Sequence, residues 1–173
     1  YTIEVKAENP NYEDAFTTGT LRIERRPVTI TGNSKTFTYN GDEQKVEGYT
    51  WTQQSDNVGL VNGHEITNVE AIASATNAGN RITGTITPQN EVQILANGED
   101  VSANYLITTV PGSITIQPKE ITITSVDAEQ KYNGQALIKH EVVDEPELAA
   151  GDSISYSYTG NQTIIGSSEN SFT

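Results

Sequence analysis

"TFTYNG" occupies residues 36–41 and "EQKYNG" residues 129–134, so the same Tyr-Asn-Gly returns 93 positions later. Fold and function both turn on whether this is a site written twice or a structural unit written twice. Outward from it, Asn11–Gln44 lies on Asn104–Leu137 without a gap: "NYEDAFTTGTLRIERRPVTIT" falls on "NYLITTVPGSITIQPKEITIT". Ten of the 34 pairs are identical, among them Asn11/Asn104, Tyr12/Tyr105, Gly19/Gly112, Ile23/Ile116 and Ile30/Ile123. After a deletion of five residues, "LVNGHEI" (60–66) lies on "LAAGDSI" (148–154), and "TNAG" (76–79) on "TIIG" (163–166). Self-similarity of this period marks a tandem array. The register predicts that 1–26 is the C-terminal strands of a preceding repeat, 27–118 one complete repeat, and 119–173 the N-terminal part of a following one. Cut out of phase in this way, a neighbouring molecule's 1–26 could complete 119–173, a head-to-tail strand exchange between chains.

Each unit reads as strands and turns. "VTIT", "LRI", "ITI" and "SISYSY" alternate apolar with polar residues, the period-2 pattern of half-buried antiparallel strands. "KVEGYTWT", "HEITNV", "RITGTIT" and "EVQIL" are further strands, and Asn-Gly pairs at 40–41, 62–63, 97–98 and 133–134 are turns. "EAIASATNAG" is the one stretch with helical character, and "VDEPELAAG" has room for a single turn. Pro27 and Pro118 stiffen short links between last and first strands, which predicts a semi-rigid, extended rod. The expected fold is all-β, tandem sandwich-like repeats, with a β-grasp-like unit carrying one short helix as the alternative. The rings of Tyr39 and Tyr132 are expected to be buried at strand ends.

Composition narrows the partners. Ten basic and 23 acidic residues give a net charge of −13, which repels phosphate backbones, so nucleic acid is not an expected partner. No apolar stretch approaches the ~20 residues that span a bilayer, so no membrane span is expected. Without cysteine there is no disulfide, thiolate nucleophile or zinc-thiolate site, which suits an exported protein. The opening "YTIEVKAENP" reads as mid-strand, as in a piece of a longer chain.

With the repeat in hand, "YNG" at 39–41 and 132–134, "TGNQTIIGSSENSFT" at 159–173 and "NY…GSITI" at 104–116 resemble the immunoglobulin-like or MBG/YDG-type repeats of large bacterial surface proteins. The resemblance spans nearly the whole chain, with Asn where Asp is commoner in the turn and a drifted "ATNAGNRIT" at 75–83. It implies immunoglobulin-like sandwich repeats in a stalk or adhesion region at the cell surface or in the cell wall, non-enzymatic and without cofactor. A host or neighbouring-cell surface protein or glycan would be the partner. The alternative is a carbohydrate- or protein-binding module of a larger extracellular enzyme.

Motifs for chemistry are weak. His64-Glu65 and His140-Glu141 suggest a zinc protease, but "HEITN" lacks the second histidine and "HEVVD" puts Asp144 there. The two do not align in the repeat and read as exposed or strand-edge residues. "NGED" (97–100) and "VDEPE" (143–147) offer oxygen ligands for Ca²⁺ in no defined loop spacing. Lys35 suits a Lys–Asn cross-link, yet the aligned residue is Ala128. Tyr49 and Trp51 share one strand face and are the candidate ligand-binding residues, although a core or cross-strand pair is the simpler reading; Tyr156 and Tyr158 form a similar pair, read the same way.

Overall fold

The structure is a computed structural model that describes residues 10, 11 and 19–173. Of the strands expected within 1–26, any in 1–9 and 12–18 lie outside the described residues, and "LRI" (21–23), expected as a strand, is in none, because no neighbouring strand pairs with it among the described residues. Twelve short strands are formed among the rest: β1 (Arg26–Gly32), β2 (Ser34–Thr38), β3 (Gln44–Glu47), β4 (Tyr49–Trp51), β5 (His64–Thr67), β6 (Ala71–Ala75), β7 (Ile82–Thr83), β8 (Thr85–Ile86), β9 (Gln93–Ala96), β10 (Glu99–Asp100), β11 (Tyr105–Val110) and β12 (Ser113–Gln117). A 3-10 turn covers Ser102–Asn104, and no described residue is α-helical. The described chain is all-β, arranged in several small sheets compatible with a sandwich.

Alternation explains β1. Val28, Ile30 and Gly32 point inward while Thr29 and Thr31 stay half-exposed. Val28 packs with Leu60, Ile94 and Tyr105, and Val61, Ile66, Val101 and Ile107 close over them. A second apolar layer lies where β12, with Ile114 and Ile116 buried, runs over β6 with its buried Ala71 and Ala73. The supposed helix at "EAIASATNAG" is therefore strand β6. Alanine's helical preference yields because pairing to β3 and β8 satisfies its backbone, and close neighbours leave room only for methyl groups.

Pairing is mixed, where antiparallel strands alone were expected. β1 runs parallel to β11 and antiparallel to β4; β12 runs parallel to β2 and antiparallel to β7. Four strand pairs change sheet at a glycine: β1/β2 after Gly32, β3/β4 at Gly48, β7/β8 at Gly84 and β11/β12 at Gly112. These glycines meet as a belt. Gly84 N donates to Gly112 O (2.9 Å), Gly48 N to Ala71 O (3.1 Å), and Asn33 N to Gly48 O (2.9 Å). Pro27 is also not in a link: it is the second residue of β1, opposite Leu106, and its carbonyl accepts from Gly59 N. Pro118 does follow a strand end.

Residues 119–173 have no continuous ladder, so "ITI" and "SISYSY" are not strands, and "VDEPELAAG" contains a turn at 150–151 without a helix. Their isolated pairings nonetheless follow those of 26–87. Ser125 bridges Val142 as Gly32 pairs with Tyr49; Leu137 bridges Gln162 as Gln44 pairs with Ala75. Val126 N donates to Glu141 O as Asn33 N does to Gly48 O, and Asp152 N to Ala149 O as His64 N to Val61 O. Lys119 Nζ reaches Glu147 O as Arg26 Nε reaches Gly59 O. In both Tyr-Asn-Gly turns the asparagine Oδ1 accepts the N–H two residues on, from Asp42 and from Gln135.

Those tyrosines are not buried. Tyr132 is 68% exposed. Tyr39 is half-buried at the end of β2, where its N–H donates to Gln117 O, so the parallel pairing sets the turn beside the exit of β12. From there its hydroxyl donates to Asp152 Oδ2 at 2.9 Å, across the joint between the two segments. That bond, with burial and the carboxylate charge behind it, raises the Tyr39 pKa above 10.0. A group whose folded pKa is raised contributes below its unfolded pKa and loses that contribution as pH rises through the folded one. The contact is therefore expected to persist at neutral pH and to open above about pH 10. Solution scattering across that range should show the segments separating, and Tyr39→Phe should remove the transition.

Candidate functional site

Tyr49 and Trp51 lie on β4, the edge of the β11-β1-β4 sheet. The period of two brings them onto one face, with ring centroids 6.0 Å apart and planes tilted by 51°. Trp51 stands opposite Ile30 and Tyr49 opposite Gly32. Residues directly opposite in a ladder share a face. Trp51 therefore flanks a fully buried core residue while remaining 38% exposed. The pair forms an open notch at a core edge, with one ring half-covered, and does not make a flat platform. A hollow of about 260 Å³ beside it is lined by Tyr49, Glu47, Glu70 and Ile72, among others, and does not reach Trp51.

The remaining candidates are dispersed. His64, on edge strand β5, has Nδ1 2.7 Å from the hydroxyl of buried Tyr105, which also accepts from Val61 N. His140 stacks on Tyr158 at 4.9 Å and 11°. Tyr156 and Tyr158 are 6.0 Å apart and share Phe172. Burial, and then its hydrogen bond to Glu145, raises the Tyr156 pKa. Lys35 Nζ sits over the Phe37 ring at 4.6 Å, a cation–π contact. Asp100 spends Oδ1 on the N–H and hydroxyl of Ser102, which lowers its pKa. Among the described residues no three His, Cys, Asp or Glu groups are placed to hold a metal, and no helix is long and apolar enough to cross a membrane.

One further hollow was not anticipated from motifs. It is a groove of about 740 Å³ in the second segment, with Asp127–Tyr132 on one side, 163–170 on the other and Leu137 and Gly160 within it. The repeat register is the signal that locates it, because the corresponding residues of the first segment surround β12. Comparison with protein-family models, curated proteins and solved structures found no match.

Proposed function

We propose that the chain is a non-enzymatic tandem-repeat region of a bacterial cell-surface or secreted protein, of the immunoglobulin-like MBG/YDG type, serving outside the cell as a spacer or cell-contact module. On this reading 27–118 is one complete repeat and 119–173 the N-terminal part of the next. The observation that carries it is mechanical. The chain enters the first repeat through β1 and β2 and leaves through β11 and β12, and these two tracks run parallel over eleven registered pairs, six in one sheet and five in the other. Pulling Arg26 and Gln117 apart loads this array in shear, so its hydrogen bonds resist together and do not open one at a time. Its clamped entry loop adds to this, since the Arg26 guanidinium donates to the carbonyls of Ser55, Asp56, Val58 and Gly59.

Force spectroscopy with handles at both ends tests the proposal. One distinct rupture should release roughly 30 nm of chain, at about 3.5 Å per extended residue. Progressive yielding without a peak would remove the spacer reading. A second reading, a carbohydrate- or protein-binding module, is favoured by the exposure of Trp51 on its edge strand. Polysaccharides titrated against the wild type and against Tyr49→Ala and Trp51→Ala decide it: specific binding lost in both variants makes β4 a binding edge.

A further inference from the structure

The outward faces of the sheets differ in charge. Those of β3-β6-β8 and β10-β9-β5 carry exposed Lys45 and Glu47, and exposed Glu65 and Asp100. The outward face of β2-β12-β7 is a carpet of uncharged polar groups instead. Ser34, Thr36 and Thr38 on β2 stand opposite Ser113, Thr115 and Gln117 on β12, while Ile114 and Ile116 turn to the core. Thr83 of β7 lies in the same row as Ser113, and the period of two puts Arg81 on that face just before β7. Its guanidinium is the one charge in this register, in a chain of net charge −13.

Arg81 is fixed from below. Its Nε donates to Ser113 Oγ at 2.6 Å, and Ser113 Oγ donates to Ser34 Oγ at 3.1 Å. Ser34 Oγ also accepts from Ser113 N at 3.0 Å. Ser113 is 4% exposed, the one buried polar residue among those described, so the sheet and not solvent holds this chain of hydrogen bonds. The chain ends in unpaired donors. Among the described residues the four N–H of Nη1 and Nη2 have no acceptor, the Ser34 hydroxyl proton has none, and Arg81 makes no ion pair. The fold does not require this arginine, since the repeat register puts Ser168 and Asp127 where the first segment has Arg81 and Ser34. A guanidinium held by Nε alone presents the planar fork that pairs two N–H groups with the two oxygens of a carboxylate.

We infer that this face binds a carboxylated sugar, with its carboxylate on the Arg81 fork and the Ser34 hydroxyl, and its ring hydroxyls over Thr36 and Thr115. One cation among hydroxyls matches one anionic group among hydroxyls. A dense polyanion would meet a single cation and the repulsion of the net charge. A neutral sugar would leave the fork unpaired, and an acidic peptide would bring no hydroxyls to the threonines. The site lies on a different sheet from Tyr49 and Trp51. It rests on neither the β4 edge nor the mechanical role, so binding and force measurements fail separately.

NMR titration of the full chain with methyl glucuronide tests it, with methyl glucoside, inorganic sulfate and a blocked glycine–glutamate–glycine peptide run in parallel. The glucuronide should move the Arg81 Nε–H and the Ser113 and Thr83 amides, with a Kd on the order of 1 mM for a ligand of this size. The glucoside should move none of them. Arg81→Gln should weaken glucuronide binding about tenfold or more. Thr115→Val should weaken it about threefold. Valine keeps a β-branched residue in the strand, so this variant reads the hydroxyl alone and stays informative if Arg81→Gln disturbs Ser113. Sulfate binding as tightly as the glucuronide, with no effect of Thr115→Val, leaves a bare ion site and overturns the sugar assignment. A peptide that binds more tightly than the glucuronide assigns the face to a protein partner and overturns it as well. So does a glucuronide that leaves the Arg81 Nε–H unmoved.

Discussion

Gly112→Ala should unfold the first segment at temperatures where the wild type is fully native. A Cβ built at Gly112 would lie 2.0 Å from Asn33 O, 2.7 Å from Gly32 C and 2.8 Å from Asn33 C. All three are backbone atoms, so no rotamer change relieves the overlap. Relief requires the two tracks to separate where both change sheet, and that separation breaks the β2–β12 ladder and lifts Ile114 off β6. The cost should reach or exceed about 3 kcal/mol, the upper part of ordinary overpacking penalties, out of a stability of about 5–15 kcal/mol for a domain. Gly19→Ala is the matched control, because Gly19 aligns with Gly112 but has nothing within 4 Å of its Cβ position. Denaturant titration of both variants separates them: Gly19→Ala should melt with the wild type. A wild-type midpoint for Gly112→Ala would mean that the belt is looser than drawn.

The belt also marks where sequence reading stopped. "KVEGYTWT" and "RITGTIT" alternate well enough to pass for continuous strands, and the strand assignment on either side of each glycine holds. What alternation cannot carry is Gly48 and Gly84 handing the chain from one sheet to another, because that depends on backbone approaching from 23 and 28 residues away, Ala71 O at Gly48 N and Gly112 O at Gly84 N. Parallel pairing was illegible for the same reason: β1 and β11 are 79 residues apart along the chain, and period 2 says which face is buried but not which neighbour lies alongside. Turn chemistry was local and therefore legible. Asn97-Gly98 takes positive φ at both residues (51° and 83°) and joins β9 to β10 as a two-residue hairpin. For the candidate site, the sequence placed Tyr49 and Trp51 on one face. It gave no sign that Trp51 flanks Ile30, since that follows from which strand β4 joins. Tyr39 was misjudged because its partner, Asp152, is 113 residues away.

Hydrogen exchange should divide the chain into two populations near Gln117. Among the described residues, every hydrophobic side chain in the buried core belongs to residues 28–116. Within 119–173 only Gly160 is buried, while Val126, Leu137, Leu148 and Ile154 are half-covered and the backbone pairings are single bridges. A bridge without apolar burial opens locally, so its amides exchange by small fluctuations, whereas Ile30, Ile94 and Ile114 wait for global opening. Protection in β1, β9 and β12 should exceed that at Val126, Leu137 and Thr159 by a factor on the order of 100 or more. Ile114→Ala sharpens the comparison. It empties a fully buried site and should cost about 2–5 kcal/mol, lowering protection throughout the first segment while leaving 119–173 unchanged. Leu21→Ala, the aligned substitution on an exposed residue, should leave both segments as they were. Uniform protection across the chain, or loss spreading into 119–173 on Ile114→Ala, would show one cooperative unit.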